Sequence, residues 1–149
     1  MLLDSLSLSK SASEISALGD PVFNGETSLF IEDIINNKSD YKVFAAFREE
    51  EVAGFLILSA VLDEAEILEV AVDVNLRRKG IASELMSGIF DWCEKNGITQ
   101  IFLEVRESNL PAKKYYCKFG FSESGLRKNY YKNPSENAVL MSRKLSGAS

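Results

Sequence analysis

Between Val70 and Ser83, in the stretch VAVDVNLRRKGIAS, the chain switches from one hydrophobic period to another. Just before and into it, Glu66 to Val72 (EILEVAV) is short, apolar and β-branched, as expected of a strand buried on both faces. From Gly80 onward, Ile81, Leu85, Ile89 and Trp92/Cys93 recur at helical spacing, and Ala82, Met86 and Phe90 widen the stripe. Lys95-Asn96-Gly97 closes this helix with a cationic last turn and a C-cap glycine.

The joint between strand and helix is Arg77-Arg78-Lys79-Gly80. The first amides of a helix have no internal partner and carry partial positive charge, which makes them a site for an anion, above all phosphate. Glycine lets such a ligand approach the backbone, and three cations surround it here. The same residues also suit a solvated turn ahead of an ordinary helix. The phosphate-loop pattern GxxxxGK[ST] and the dinucleotide pattern GxGxxG are both missing from the sequence.

The remaining segments surround this unit. Spaced apolar residues Leu6, Leu8, Ile15 and Leu18 predict a short edge strand and then a helix over Ser11 to Leu18, ended by Gly19-Asp20-Pro21. Asn24-Gly25-Glu26 opens a second helix, with Leu29, Phe30, Ile34 and Ile35 on one face, and Asn36-Asn37 breaks it. Tyr41 to Arg48 and Val52 to Leu62 read as a hairpin across the acidic turn Glu49-Glu50-Glu51. Gln100 to Arg106 reads as a strand and Leu110 to Phe119 as a helix. Phe121 to Tyr131 and Asn137 to Lys144 close as a hairpin around Asn133-Pro134-Ser135. The order αα-βββ-α-β-α-ββ predicts an α/β fold with a mixed sheet. No linker divides residues 1–149, so one domain is expected, with a disordered tail over 146–149.

The chemistry open to this chain is narrowed by what it lacks. It has no histidine, which removes Ser-His and Cys-His nucleophilic pairs and most zinc sites. Cys93 and Cys117 stand in two predicted helices without metal-ligand spacing, so reduced thiols and no metal are expected. A net charge of −5 argues against general nucleic-acid binding. No apolar run is long enough to span a membrane, and MLLDSLSLSK lacks a basic leader, so a cytoplasmic protein is expected.

Three polar positions stand out. In IFLEVR, Ile101, Leu103 and Val105 point one way and Phe102, Glu104 and Arg106 the other. Glu104 is therefore a carboxylate within a largely apolar strand, either a structural ion pair with Arg106 or another cation, or a general base. Glu69, two residues before Ala71, is a second carboxylate of this kind. Asn109, ahead of Leu110-Pro111, has the position of a helix N-cap.

Arg77-x-x-Gly80-x-Ala82 matches the (Arg/Gln)-x-x-Gly-x-(Gly/Ala) signature of the GNAT N-acetyltransferases. The phrases AEILEVAV, LRRKGIA, IFLEVRESN, YYCKFGF and LRKNYY stand in that superfamily's order and resemble the bacterial ribosomal-protein-alanine N-acetyltransferases (RimI type). The resemblance implies a mixed, mostly antiparallel sheet flanked by helices, with acetyl-CoA as co-substrate. It also implies, as acceptor, the N-terminal amine of a protein, specifically a ribosomal protein.

Carried onto this chain, the resemblance puts the coenzyme's diphosphate on the backbone from Arg78 to Ser83, through Gly80, Ile81 and Ala82, with Arg77, Arg78 and Lys79 around it. The pantetheine arm lies along Val70, Ala71 and Val72 like an added strand, and Asn109 contacts the coenzyme. Glu104 becomes the general base. Tyr116, set by its offset to Gly120-Phe121, becomes the acid that protonates the departing thiolate, where Tyr115 is out of step by one. Tyr130 and Tyr131 line the acceptor's path. Glu69, where the RimI type often has a different residue, is a second candidate near the same cleft, to share the base role or to order water on the substrate side. Where the RimI type carries a Pro-Trp-Ser-like phrase that helps select the acceptor, this chain has Val22-Phe23-Asn24-Gly25. Acetylation of a lysine or a small amine is the alternative within enzymes, and a non-catalytic acyl-CoA sensor the alternative outside them.

Overall fold

A computed structural model describes residues 1–145, so the tail 146–149 lies outside the described residues. Helices α1 (Ser5–Phe23) and α2 (Glu26–Ile35) precede strands β1 (Lys42–Arg48), β2 (Glu51–Val61) and β3 (Glu64–Val72). A short 3-10 turn at Val74–Leu76 leads into α3 (Ile81–Lys95), followed by β4 (Gln100–Arg106), α4 (Leu110–Lys118), β5 (Ser122–Tyr131) and β6 (Glu136–Lys144). The strands form one sheet in the order β1-β2-β3-β4-β6-β5. Every neighbouring pair is antiparallel except β3 and β4. The expected α/β fold with a mixed, mostly antiparallel sheet is the one observed.

Two apolar layers hold the helices to opposite faces of this sheet. On one face Ile81, Leu85, Met86, Ile89 and Cys93 of α3 pack with Phe44, Leu56, Ile101 and Leu103, and the rings of α4 join at the margin. On the other, Leu8 and Ile15 of α1 and Ile31 of α2 pack with Val43, Phe55 and Ile57. The turn between β1 and β2 puts Glu49 and Glu50 at φ 51° and 68°, the two left-handed positions that a two-residue hairpin needs.

The first third departs from the reading of its sequence. Helix α1 starts earlier and ends later than Ser11 to Leu18. Asp4 caps it, accepting from the Ser7 amide at 2.8 Å, and the helix passes through Pro21 to Phe23. A proline there removes one hydrogen bond, to the carbonyl of exposed Ala17, and the helix ends within a turn. The expected edge strand shrinks to a bridge between Leu2 and Phe44. Helix α2 buries Thr27 and Ile31, while Leu29 and Ile35 are exposed. A threonine occupies the core position because its hydroxyl finds a buried partner.

Strand β3 is not buried on both faces throughout, since Glu64 and Glu66 are exposed and Val70 to Val72 half-buried. Its pairing with β2 shifts between Ile57 and Leu58, a bulge that leaves Leu68 without an opposite residue. Before the bulge, Ala65 and Ile67 face the α3 layer; after it, Val70 and Val72 do. One extra residue thus inverts the alternation, so that Ala71 joins Leu68 on the side of α1 and α2. On its other edge β3 pairs with β4 only at Glu64, Ala65 and Glu66. From there the two strands separate, with β4 bonding to β6 along its whole length. Val70, Ala71 and Val72 therefore have strand partners on the β2 side alone among the described residues.

Candidate active site

The split between β3 and β4 opens toward the start of α3. There Arg77, Arg78, Lys79 and Gly80 are all exposed. Arg78 and Gly80 take left-handed backbone, φ 67° and 77°, so the turn doubles back before the helix. Gly80 is the N-cap and supplies no side-chain bond. The bond that opens the helix runs from the Glu84 amide to the Gly80 carbonyl at 3.0 Å. The amides of Ile81, Ala82 and Ser83 thus precede the helical ladder. Nothing lies within 4 Å of where a Gly80 Cβ would stand. The positive φ, rather than a neighbour, makes glycine the residue for this turn. Open backbone, unused amides and three cations fit a diphosphate.

Behind this turn stands Arg48 of β1, which the sequence offers no reason to single out. Its guanidinium bonds to the Lys79 carbonyl at 3.4 Å and to Glu84 Oε1 at 3.1 Å.

At the other end of the split a polar cluster forms around Glu104. As its strand alternation predicts, Glu104 leaves the core face to Ile101, Leu103 and Val105. Its carboxylate meets Arg127 Nε of β5 at 3.4 Å. Arg106 pairs instead with Glu136 at 3.4 Å and lies over the Tyr131 ring at 4.3 Å. The Glu104 charge, a little burial and a hydrogen bond to Glu104 raise the Tyr130 phenol above its usual range. For Tyr131 burial comes first and Glu104 second. Glu66, the last β3 residue paired with β4, belongs to the same cluster: desolvation and then Glu104 raise its carboxyl, and Arg127 lowers it.

Tyr116 and Tyr115 share helix α4, but their surroundings differ. Burial, followed by the phenols of Tyr115 and Tyr131, holds the Tyr116 hydroxyl far above the ordinary tyrosine range. Tyr115 packs against Phe119 with ring centroids 5.1 Å apart, and its buried hydroxyl has no hydrogen-bond partner among the described residues. Burial pushes it up to about 12. Asn109 caps α4, accepting from the Ala112 amide at 3.2 Å.

Glu69 does not join Glu104. It is 2% exposed and accepts from the Thr27 hydroxyl at 2.6 Å, while Oε2 has no hydrogen-bond partner among the described residues. Burial, resisted by the Thr27 bond and aided by Glu26 and Asp20, lifts its pKa to about 7. An open surface depression lies elsewhere again, between α1 and α2, lined by Ser16, Ile31 and Ile35 among others.

The model of the acetyltransferase (GNAT) family matches residues 12–121. The chain belongs to the GNAT acetyltransferase family. An Escherichia coli relative, the ribosomal protein bS18-alanine N-acetyltransferase, is 35% identical over 113 residues, 74% of this chain and 76% of its own length. The crystal structure of the Escherichia coli ribosomal-protein-S18-alanine N-acetyltransferase superposes with a TM-score of 0.78 at 30% identity, covering 100% of this chain and 94% of that one. The Ard1 protein of Thermoplasma volcanium gives 0.79 at 28%, covering 97% and 95%. An aminoglycoside 6′-N-acetyltransferase complexed with coenzyme A shares the fold alone, with a TM-score of 0.75 at 15% identity, covering 89% of each chain. This GNAT chain is an acetyltransferase.

Within the GNAT frame, three partners escaped the sequence reading: Arg48, Thr27 and Arg127. Arg127 sits in LRKNYY, where a cation next to tyrosines is ordinary strand surface. No periodicity marks Arg48 or Thr27.

Proposed function

We infer that this protein is an N-α-acetyltransferase that moves acetyl from acetyl-CoA to the amino terminus of a protein, with a ribosomal protein bearing N-terminal alanine as its acceptor. Residues 1–149 act as one domain in a cytoplasmic enzyme. The observation that carries this reading is the parting of β3 from β4 after Glu66, which among the described residues leaves Val70 to Val72 an open edge ahead of the basic turn at Arg77 to Gly80. Glu104 on β4 offers the proton acceptor and Tyr116 on α4 the proton donor.

Acetyl-CoA supplies the thioester. Its diphosphate takes the amides from Arg78 to Ser83 with Arg77, Arg78 and Lys79 about it. Its arm runs along Val70, Ala71 and Val72, which have room for a further strand, and Asn109 contacts it beside its capping bond. Tyr130 and Tyr131 border the acceptor's path. Glu104 receives the amine's proton, directly or through water, as the amine nitrogen bonds to the carbonyl carbon. The carbon–sulfur bond then breaks, and the Tyr116 hydroxyl gives its proton to the leaving thiolate. Raised by burial, that hydroxyl keeps its proton near neutrality and so has one to give.

An α-amine, at a pKa of about 7.7–8.0, is partly neutral near pH 7, whereas a lysine at about 10.4 scarcely is. A carboxylate base in an ion pair suits the first. The test incubates the protein with acetyl-CoA and a panel of peptides differing at the first residue, beside peptides with a blocked terminus and a free lysine, read by mass spectrometry. Acetylation at the α-amine, fastest for alanine, is expected. Acetyl on lysine or on small amines alone sinks the reading, as does no turnover.

A further inference from the structure

We propose that Arg48 is a positioning residue for the coenzyme's diphosphate, acting by neutralising Glu84 at the mouth of the phosphate turn; this rests on the reading of Arg77 to Ser83 given above. Glu84 stands in the first turn of α3. A carboxylate there gains from the helix N-terminal field and so competes with any anion that field would hold. It is also a like charge beside an incoming diphosphate, which costs affinity at short range. Arg48, from the far edge of the sheet, answers both effects. It bonds Glu84 Oε1 at 3.1 Å and the Lys79 carbonyl at 3.4 Å, and its own Phe47 carbonyl at 2.8 Å fixes the guanidinium.

Stability is a poor explanation for this arrangement. The two side chains are 37% and 45% exposed, and ion pairs so placed contribute little to folding. The hydrogen bond to Lys79 is different in kind. With that carbonyl turned back toward Arg48, no acceptor oxygen of Lys79 needs to face the anion. Arg77, Arg78 and Lys79 are thereby left as the charges available to a ligand. Nothing in the spacing of FREEE around Arg48 announces this role, because the contact spans 36 residues of sequence.

The experiment compares Arg48→Gln, Arg48→Lys, Glu84→Gln and the Arg48→Gln/Glu84→Gln pair in the full chain. Binding of acetyl-CoA is read by calorimetric titration and turnover by steady-state kinetics. Arg48→Gln should raise KM for acetyl-CoA roughly five- to tenfold at low salt with kcat little changed, and the loss should shrink as salt is added. Arg48→Lys should keep most of the affinity. Glu84→Gln should bind at least as tightly as the wild type, and the double variant should recover most of the loss. KM for acetyl-pantetheine, which lacks the diphosphate, should not respond to any of these changes. Melting temperatures should stay together.

A double variant as weak as Arg48→Gln overturns the proposal, and so does an unchanged KM in Arg48→Gln. Gly80→Val separates this failure from failure of the reading beneath it. If Gly80→Val binds acetyl-CoA like the wild type, the phosphate turn itself is misassigned and the proposal falls with it. If Gly80→Val loses binding while Arg48→Gln does not, only the role of Arg48 is wrong.

Discussion

Tyr116 and Glu104 do opposite things with a proton, and pH separates them. If Glu104 takes the amine's proton, Glu104→Gln should lose most of kcat/KM below the amine's pKa. Part of that loss should return at higher pH, where solvent supplies neutral amine. Tyr116→Phe removes a donor that higher pH cannot replace, so its loss should persist across the range. Groups of this kind are typically worth about 10²–10⁴-fold. A pH–rate profile of both variants on one N-terminal peptide decides it, with Tyr115→Phe as the control for helical register. Full activity in Tyr116→Phe would return that residue to packing. Glu104 was legible in the sequence because a charge within a largely apolar strand is costly unless it has a partner or a use. Its partner was not: Arg127 is brought there by β5, which reaches β4 only through β6.

Among the elements, the joint of α1 and α2 is the tightest. A Cβ on Gly19 would stand 2.2 Å from Thr27 Oγ1 and 2.7 Å from Phe55 Cζ. The two helices approach closely enough there for Thr27 to reach Glu69 on the sheet below. Gly19→Ala is therefore expected to cost about 1–3 kcal/mol by overpacking, despite alanine's better helix propensity. Denaturant melts of wild type and variant measure it, and equal stability would mean that α1 shifts freely. Periodicity predicted α3 and β4 closely, because each is amphipathic with a single partner layer. It failed at Gly19-Asp20-Pro21, where Gly19 packs against α2 and Asp20 holds the Ser28 amide at 2.9 Å, so residues that usually end a helix continue this one. The bulge in β3 was equally invisible, since one unpaired residue in EILEVAV changes no composition. It nonetheless sets which way the residues after it point.

For the whole molecule, Glu69 makes stability depend on pH in a direction unusual for a carboxylate. Its pKa rises from an unfolded value near 4.5 to about 7 in the fold. The folded chain thus holds its proton over that window while the unfolded chain releases it, so stability falls as pH rises from about 4.5 to 7 and stays level beyond. Glu69→Gln keeps an acceptor for Thr27 and removes the charge. It should match the wild type near pH 4.5 and exceed it at pH 8 by up to about 3 kcal/mol. Thermal melts across that range test it, and parallel curves would show that the buried carboxyl is ionised without penalty.

The parting of β3 from β4 after three residue pairs also has a consequence in time. Backbone amides exchange with solvent deuterium at a pace set by how often their bonds open. Along Ile67 to Val72 those that face the gap have no strand to protect them, while the same stretch is held on its other edge by β2. Deuterium uptake should therefore divide β3 into a slow and a fast comb of alternate amides. Saturating acetyl-CoA should slow the fast comb selectively and leave β1 and β5, at the sheet's outer edges, at their former pace. Uniform slowing throughout the sheet would instead mean that the ligand acts by general stabilisation. Selective slowing would place the coenzyme's arm on the free edge of that single strand, amide by amide.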